Sequence, residues 1–459
     1  MASAFLPASR LTRLIGKPST DWTIDDLVGV FSSQQLRLVN LMHVGGDGWL
    51  KTLDFVPRDE VHLREVLTSG ERADGSSLFG MLGVPVTASD VVLRPRIATA
   101  FLDPFASAPA LAVLCGHLGR DGRPLPQSPD TIVHRAEARL REQAGVQLDA
   151  LGEVEYFLGK RPEESDIYGA NERGYHASSP FVFGETLRRQ ALVLLAEMGV
   201  PVKYGHSEVG YIQPSESDTR IWEQHEVELA LQPLPRAADS VVLTQWVLRN
   251  LAHRAGLRCS FDPVLRQGHA GSGMHFHLSP VRGGALPVSR EDGTFHDEAA
   301  WLVAGLSLAG AALMAFGNRT SHSFVRLTQA KEAPNRVTWG RHNRKALIRL
   351  PIMPRDEAGR AVAPETVEFR LPDGSAHPHL LLAGVAQAML VGRALPEAER
   401  AALLAQADAT QVSREATPVP RTFAEVAEAL NGLRTSLEAG GVFTPQVLDR
   451  VIEMLSSER

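Results

Sequence analysis

The stretch GEVEYFLGK, residues 152–160, decides how this chain reads. Acid and apolar residues alternate through its first half, the period of a half-buried strand, so Glu153 and Glu155 project from one face. Further along come Glu208 in GHSEVG (205–210), Glu226 in QHEVE (224–228), His275 in GSGMHFH (271–277) and Glu368 in VEFRLP (367–372). The same i, i+2 rule aligns His275 with His277, and Glu368 with Arg370. Strands of this kind can bring five glutamates and a histidine to one centre. Gathering carboxylates without counter-charge costs several kcal/mol per buried ion, so such a centre calls for divalent cations. Oxygen ligands with a single imidazole favour Mg²⁺ or Mn²⁺ over zinc. Each segment also has an ordinary reading: a half-exposed strand for GEVEYFL, a flexible turn for HAGSGMHFH (269–277). QHEVE is half of an HExxH zinc motif, but Leu229 stands where the second histidine belongs.

Downstream, SFVRLTQAKEAP (323–334), WGRHNRKALIRLP (339–351) and ETVEFRLPDGSAHPH (365–379) set Arg326, Arg341, Arg344, Arg349 and Arg370 among strand-like apolar residues. A guanidinium fork binds carboxylate or phosphate oxygens in pairs, so arginines opposite metal-binding glutamates point to a transferred phosphate. Salt bridges along sheet faces are the plainer alternative. No Walker A pattern is present, so a nucleotide would need another scaffold.

With 459 residues the chain can bury large cores, and two domains are expected. Hydrophobic content of 44%, charged content of 22% and 39 glycines exclude a disordered or fibrous chain. The net charge of −6 lacks the basic footprint of a nucleic-acid binder, which leaves small molecules as partners. Cys115 and Cys259 are far apart in sequence, so neither a disulfide framework nor a thiolate metal site is indicated, and a cytoplasmic location fits. The opening MASAFLPASRLTRLIG has two arginines and no acid before Asp21, a faint transit-peptide signal, but it lacks the apolar run of a secretory leader. The run AAWLVAGLSLAGAALMAF (299–316) is long enough to span a membrane. Its small residues suit a buried helix better, and a site shared by His275 and Glu332 needs both flanks on one side, so no membrane is expected.

Residues 1–22 read as an extension and 23–116 as a small mixed domain. That domain has a helix over TIDDLVGVF (23–31), strands in LRLVNLMHV (36–44) and WLKTLDF (49–55), and a helix from 60 to about 68. The Gly- and Pro-dense GHLGRDGRPLPQSPD (116–130) marks the boundary, and 117–459 forms the larger α+β domain. Helices are expected there over 187–199, stopped by Gly199 and Pro201, and over about 237–255, with Leu243, Trp246, Val247 and Leu251 facing the core. Others cover 298–316, about 378–393, and the C-terminus from the cap Thr444 with Pro445 first. The ligand-bearing segments fall between them as short strands.

Eight segments in order, DGSS (74–77), EVEYFL, HSEVG, QHEVE, GSGMHFHLS, RLTQAKEAP, NRKALIRLP and VEFRLPDGSAHPH, resemble landmarks of the glutamine synthetase family, type I-like. The match runs over roughly residues 30 to 395. The resemblance implies an α+β fold: a small N-terminal β-grasp-like domain and a larger catalytic domain with a curved antiparallel sheet flanked by helices. It also implies homo-oligomeric rings, dodecameric in expectation, with active sites shared between subunits. The implied activity is ATP-dependent phosphorylation of the glutamate γ-carboxylate, followed by displacement of phosphate by ammonia to give glutamine. By the same resemblance Glu155, Glu208 and Glu226 hold one Mg²⁺ or Mn²⁺, and Glu153, His275 and Glu368 another, with two or three ions per site. Gly271, Arg326 and Arg370 would bind glutamate; His277, Ser279, Arg344 and Arg349 would bind ATP, the two arginines clamping the transferred phosphate. Asp74 and Ser77 of the adjacent subunit, with Tyr175 and Glu208, match an anionic ammonium site in which Asp74 is catalytic. Glu332 would lie on a closing flap and accept a proton from the nitrogen nucleophile, while Arg344 assists the phosphoryl chemistry.

Three features depart from the family pattern. Ala270, after His269, stands where the family has an Asn beside glutamate. Pro364, Glu365, Thr366 and Val367 replace basic residues that contact nucleotide phosphates ahead of the VEFR element. The stretch between Glu208 and Glu226 is longer by about a loop, which makes Glu228 a reserve ligand. VGRALPEAERAALL (391–404) also lacks the tyrosine that some bacterial members adenylylate. The expected function is a glutamate–ammonia ligase. A γ-glutamyl ligase for an organic amine or polyamine is the alternative that Ala270 and the entrance loop motivate, and a catalytically silent structural member is a third.

Overall fold

The computed structural model describes residues 8–164, 171–329, 333–405 and 417–457. Near the start a helix spans Ile24–Ser33, fixed by a capping box in which Thr23 and Asp26 exchange hydrogen bonds. The strands that follow are β1 (Leu38–Val44), β2 (Leu50–Phe55), β3 (Glu71–Asp74), β4 (Asp90–Pro95), β5 (Phe101–Leu102) and β6 (Ala110–Leu118). They order as β2-β1-β6-β4-β3 with β5 on β6; β1 and β6 run parallel and the other pairs antiparallel. The helix Glu60–Ser69 turns Leu63, Val66 and Leu67 to one side, where they share a core with Val39, Leu41, Leu111 and Val113.

A second, curled sheet is built from β7 (Gln147–Lys160), β8 (Val202–Ile212), β9 (Ile221–Leu229), β10 (Gln232–Pro233), β11 (Arg258–Ser260), β12 (Met274–Val281), β13 (Trp339–Arg341), β14 (Ile348–Leu350) and β15 (Val367–Phe369). Its order is β13-β14-β15-β12-β7-β9-β8, with β10 and β11 both on β7; β13 and β14 pair in parallel and the rest antiparallel. Two-residue periodicity sorts its faces. Val154, Tyr156 and Leu158 of β7 and Met274, Phe276 and Leu278 of β12 enter one core with the helices Leu234–Arg254, Asp297–Gly317 and Pro378–Ala394. That leaves Glu153, Glu155, His275 and His277 on the opposite face. At about 1.5–3 kcal/mol per buried apolar side chain, those six residues outweigh any one polar contact in holding register, since a one-residue slip would expose them all. Gly152 lets the sheet approach the helix closely: a Cβ there would lie 2.7 Å from Val241 Cγ2.

The expected helices appear as Glu185–Glu197, Leu234–Arg254, Asp297–Gly317, Pro378–Ala394 and Pro445–Ser457. Asp297–Gly317 is long and apolar enough to cross a membrane, but most of its apolar window is buried against Pro378–Ala394 and its neighbours. The arginine segment differs from expectation. Arg326 sits on a helix, Ser321–Gln329, and Arg344 in the turn between β13 and β14, while Arg341 and Arg349 are on strands and Arg370 directly follows β15. A short apolar run such as SFVRL fits either period, and the helical one prevails here. The helices Pro129–Ala144, Glu397–Ala405 and Phe423–Glu438 lie outside the expected set.

Candidate active site

Cross-strand register assembles the site. Glu153 faces His275 across β7 and β12; across β7 and β9, Glu155 faces Glu226 and Glu153 faces Glu228. His277 faces Glu368 across β12 and β15, and Glu368 faces Arg349 on β14. Directly opposed residues sit about 4.5–5.5 Å apart at Cβ, so the carboxylate–carboxylate and carboxylate–imidazole pairs can each share one ion. β8 leaves regular register between Ser207 and Tyr211, and that irregularity holds Glu208, whose carboxylate accepts the Val209 N–H at 2.7 Å.

The histidine side of this centre is internally paired. Glu153 lies 2.8 Å from His275 Nδ1 and 2.9 Å from His277 Nε2, and Thr366 Oγ1 lies 2.8 Å from His277 Nδ1. Glu368, fully buried, accepts from Arg349 at 2.8 Å and from Arg370 at 2.5 Å. Burial pushes both carboxyls up, but the imidazoles beside Glu153 and the guanidinium of Arg370 beside Glu368 outweigh it and hold both below the usual range. Burial and Arg370 push the His275 imidazole down to about 4, which favours the neutral form that a metal ligand needs.

The opposite side has looser counter-charge: His206 Nε2 lies 3.4 Å from Glu226, and its Nδ1 3.9 Å from Glu208. Glu155 accepts the Gly273 N–H at 2.8 Å and the Gln224 amide at 2.9 Å, yet burial and then the Glu208 carboxylate push it up to about 8. Burial, then Glu153, Glu155, Glu208 and Glu228, push Glu226 well up, and burial raises Glu208. Three carboxylates that resist ionising together fit a divalent cation, whose charge would remove the penalty. Ligand atoms lie within 4.8 Å of one another in three groups: Glu153, His277 and Glu368; His206, Glu208 and Glu226; and Glu153, Glu226 and Glu228. Of the six expected ligands these groups take in Glu153, Glu208, Glu226 and Glu368, and they add His206, His277 and Glu228; Glu155 and His275 fall in none of them.

The cluster opens onto a cavity of about 700 Å³. Glu153, Glu155, Glu208, Glu226 and His275 line it, as do Tyr175, Gly271, His277 and the arginines Arg326, Arg344, Arg349 and Arg370. Arg326 is buried and donates to the carbonyls of Leu371 and Pro372 at 3.0 and 3.2 Å, with His275 Nε2 at 3.3 Å. Glu368 and Ser279 are fully buried and do not reach the cavity surface. Asp74 and Ser77 sit at the end of β3 and on the short helix Gly75–Phe79, outside the cavity. Ser77 Oγ donates to Asp74 Oδ2 at 2.6 Å, and the hydroxyls of Ser77 and Ser76 hold that carboxyl well below the usual range. Glu332 lies outside the described residues. The cavity also takes in Glu172, Lys203, Tyr204 and Gln224. Gln224 stands two residues before Glu226, so strand period marks it, whereas Glu172 belongs to a loop and carries no such mark.

An α+β chain whose curled sheet turns carboxylates, imidazoles and guanidiniums onto one cavity is the class that fold and site define. The family model for the glutamine synthetase catalytic domain matches residues 126–459, and the chain belongs to the glutamine synthetase family, a family of ligases. The glutamine synthetase of Salmonella typhimurium is 28% identical over 442 residues, which span 88% of this chain and 89% of that one. The glutamine synthetase of Neisseria gonorrhoeae is 29% identical over 430 residues, spanning 84% and 85%. Among solved structures, Plasmodium falciparum glutamine synthetase is similar with a TM-score of 0.78 at 16% identity, over 95% of both chains. GmaS without ligand gives a TM-score of 0.72 at 20% identity, over 94% of this chain and 95% of that one. Both likenesses bear on the fold.

Proposed function

We propose that the chain is a cytoplasmic, ATP- and divalent-metal-dependent ligase that forms glutamine from glutamate and ammonia through γ-glutamyl phosphate. The supporting observation is that carboxylates pushed up by burial and by one another share one cavity with four arginines. Bound Mg²⁺ or Mn²⁺ would neutralise charge on the phosphoryl oxygens during transfer. Glu155, Glu208 and Glu226 would hold one ion and Glu153, His275 and Glu368 a second, with His206, His277 and Glu228 near enough to add ligands. Arg344 and Arg349 clamp the transferred phosphoryl group. Gly271 and Arg370 orient glutamate; Arg326 does so while fixing the turn after Arg370 and the His275 ring. His277 and Ser279 serve the nucleotide side, with Ser279 acting from beneath the surface. Asp74 and Ser77 come from a neighbouring subunit of a homo-oligomeric ring, complete an ammonium pocket with Tyr175 and Glu208, and Asp74 draws off the ammonium proton. Glu332 accepts the proton released as the carbon–nitrogen bond forms.

A γ-glutamyl ligase for an organic amine is the second reading, favoured by one feature. The Tyr175 ring stacks on His176 with centroids 4.2 Å apart and meets His206 edge-on at 5.5 Å, a wall suited to an organic ammonium. Phosphate release from ATP, measured with glutamate and Mg²⁺ or Mn²⁺ against ammonium, methylamine, ethanolamine and polyamines, decides between them once products are weighed. Glutamine as the main product supports the first reading. Turnover confined to a larger amine replaces it with the second, and no amide from any amine rejects both.

A further inference from the structure

We propose that Glu172 is the carboxylate that recognises the α-ammonium group of the amino-acid substrate. This rests on the glutamate-ligase reading and names a residue which that reading leaves without a role. Glu172 lines the cavity from segment 172–176, which runs along the irregular part of β8: its N–H donates to Tyr211 O, that of Gly174 to Val209 O, and that of His176 to Ser207 O. Its backbone is left-handed, with φ at 57°, a conformation glutamate rarely adopts and which the surrounding contacts must hold. Two such contacts come from its own side chain. Ala270 N–H donates to Oε2 at 2.9 Å, and His269 Nδ1 lies 3.0 Å from Oε1. Both belong to the loop that carries Gly271, where an added Cβ would lie 3.1 Å from Arg326 Cγ. The carboxylate is therefore pinned at the end of the cavity assigned to the amino acid.

Its partners and its place beside Gly271 single it out. Glu155, Glu208 and Glu226 are assigned to cations, Glu228 is bound by Lys203 Nζ at 2.6 Å, and Glu365 accepts the N–H groups of Val288 and Ser289. Glu172 has a peptide N–H and an imidazole as partners. A carboxylate offers about four acceptor sites, so each of its oxygens keeps a lone pair for the cavity. A primary ammonium, with three donors and a positive charge, is the matching group. Ala270 brings no polar side chain to this end, so the task falls to Glu172.

Glutarate, which is glutamate without its amino group, provides the test. The wild type should favour L-glutamate over glutarate by about 10- to 100-fold in kcat/KM, the size of a hydrogen bond to a charged group. Glu172→Gln should raise the KM for L-glutamate by a similar factor, bring it level with glutarate, and leave the KM for ATP and ammonium within about twofold. An equal loss for both dicarboxylates, no loss at all, or a rise confined to the ammonium KM overturns the proposal. Should the variant fail to fold, calorimetric binding of L-glutamate and glutarate to the wild type with Mg²⁺ and a non-hydrolysable ATP analogue decides it: equal affinity overturns it, and a preference of about tenfold or more for glutamate supports it. ATP cleavage with neither dicarboxylate sinks the ligase reading itself, and this inference with it.

Discussion

Two regions bury comparable charge and resolve it in opposite ways. Where the N-terminal sheet meets the helices of the larger part, Asp239 takes both Nη groups of Arg96, at 2.9 and 3.0 Å, and contacts His379 Nε2 at 3.1 Å. Burial pushes this carboxyl up, but Arg96 and His379 hold it far below the usual range. Beside it His117 lies 2.8 Å from Ser128 Oγ and 3.1 Å from His43, and burial keeps both imidazoles neutral. In the curled sheet the sign reverses, for Glu155 and Glu226 face like charges and are pushed up. The seam between the two sheets supplies its own counter-charges. The carboxylate centre faces its own charge, and the cations proposed for it would balance that charge.

The largest effect should come from the seam. Asp239→Ala takes the two-pronged partner from the buried Arg96 guanidinium, leaving it Asp130 at 3.4 Å, and breaking a buried pair costs about 3–5 kcal/mol. Urea unfolding reads that loss; a change under about 1 kcal/mol would erase the contrast. The seam's imidazoles come next. His43 titrates near 4 in the folded chain against an ordinary 6.5, mainly through burial, so the unfolded chain binds the proton more readily in that window. Stability should therefore rise by about 3 kcal/mol between those two pH values, and His43→Gln should flatten the slope. The carboxylate centre works in the other direction. A carboxyl held near 8, as Glu155 is by burial and Glu208, loses stability as pH rises from its ordinary 4.5. Mg²⁺ or Mn²⁺ at about one hundred times its Kd should return about 2.7 kcal/mol, with a larger melting shift above pH 8 than below it, and a chelator should reverse the gain. A chelator-insensitive melt at every pH would mean that these carboxylates hold no ion.

The same contrast governs what the sequence discloses. Glu153, Glu155, His275 and His277 are legible because period two puts them on one face within single short segments, and the register then sets Glu153 opposite His275 and Glu155 opposite Glu226. Arg326 is legible as a site residue but not as a helical one, since its apolar neighbours fit both periods. The seam leaves no mark. Arg96 and Asp239 stand 143 residues apart, Asp239 and His379 140, and His43 and His117 74, with no local pattern joining them. The strand order of the first sheet is similarly non-local: β1 and β6 pair in parallel across most of that region, and no local pattern announces it. Glu172 stays hidden for a third reason, because a loop residue has no period and its partners His269 and Ala270 are nearly a hundred positions away.

The smallest expected change is the most informative. Burial and four neighbouring carboxylates push Glu226 well up, so its ionised form is disfavoured where it stands. Glu226→Gln keeps its volume and one carbonyl oxygen, so metal-free stability should move by no more than about 1 kcal/mol. Removing a carboxylate neighbour should also relieve Glu155, so the stability lost as pH rises above 4.5 should be smaller and its loss should end at a lower pH in the variant. Addition of Mn²⁺ then reverses the ranking: the wild type gains stability and the variant, missing a ligand, gains little. Asp239→Ala and Glu226→Gln each delete one buried carboxylate of similar exposure, yet the first should cost several times more in the metal-free chain. Equal costs would show that Glu226 is held by partners as Asp239 is, and the carboxylate centre would then need no cation to explain it.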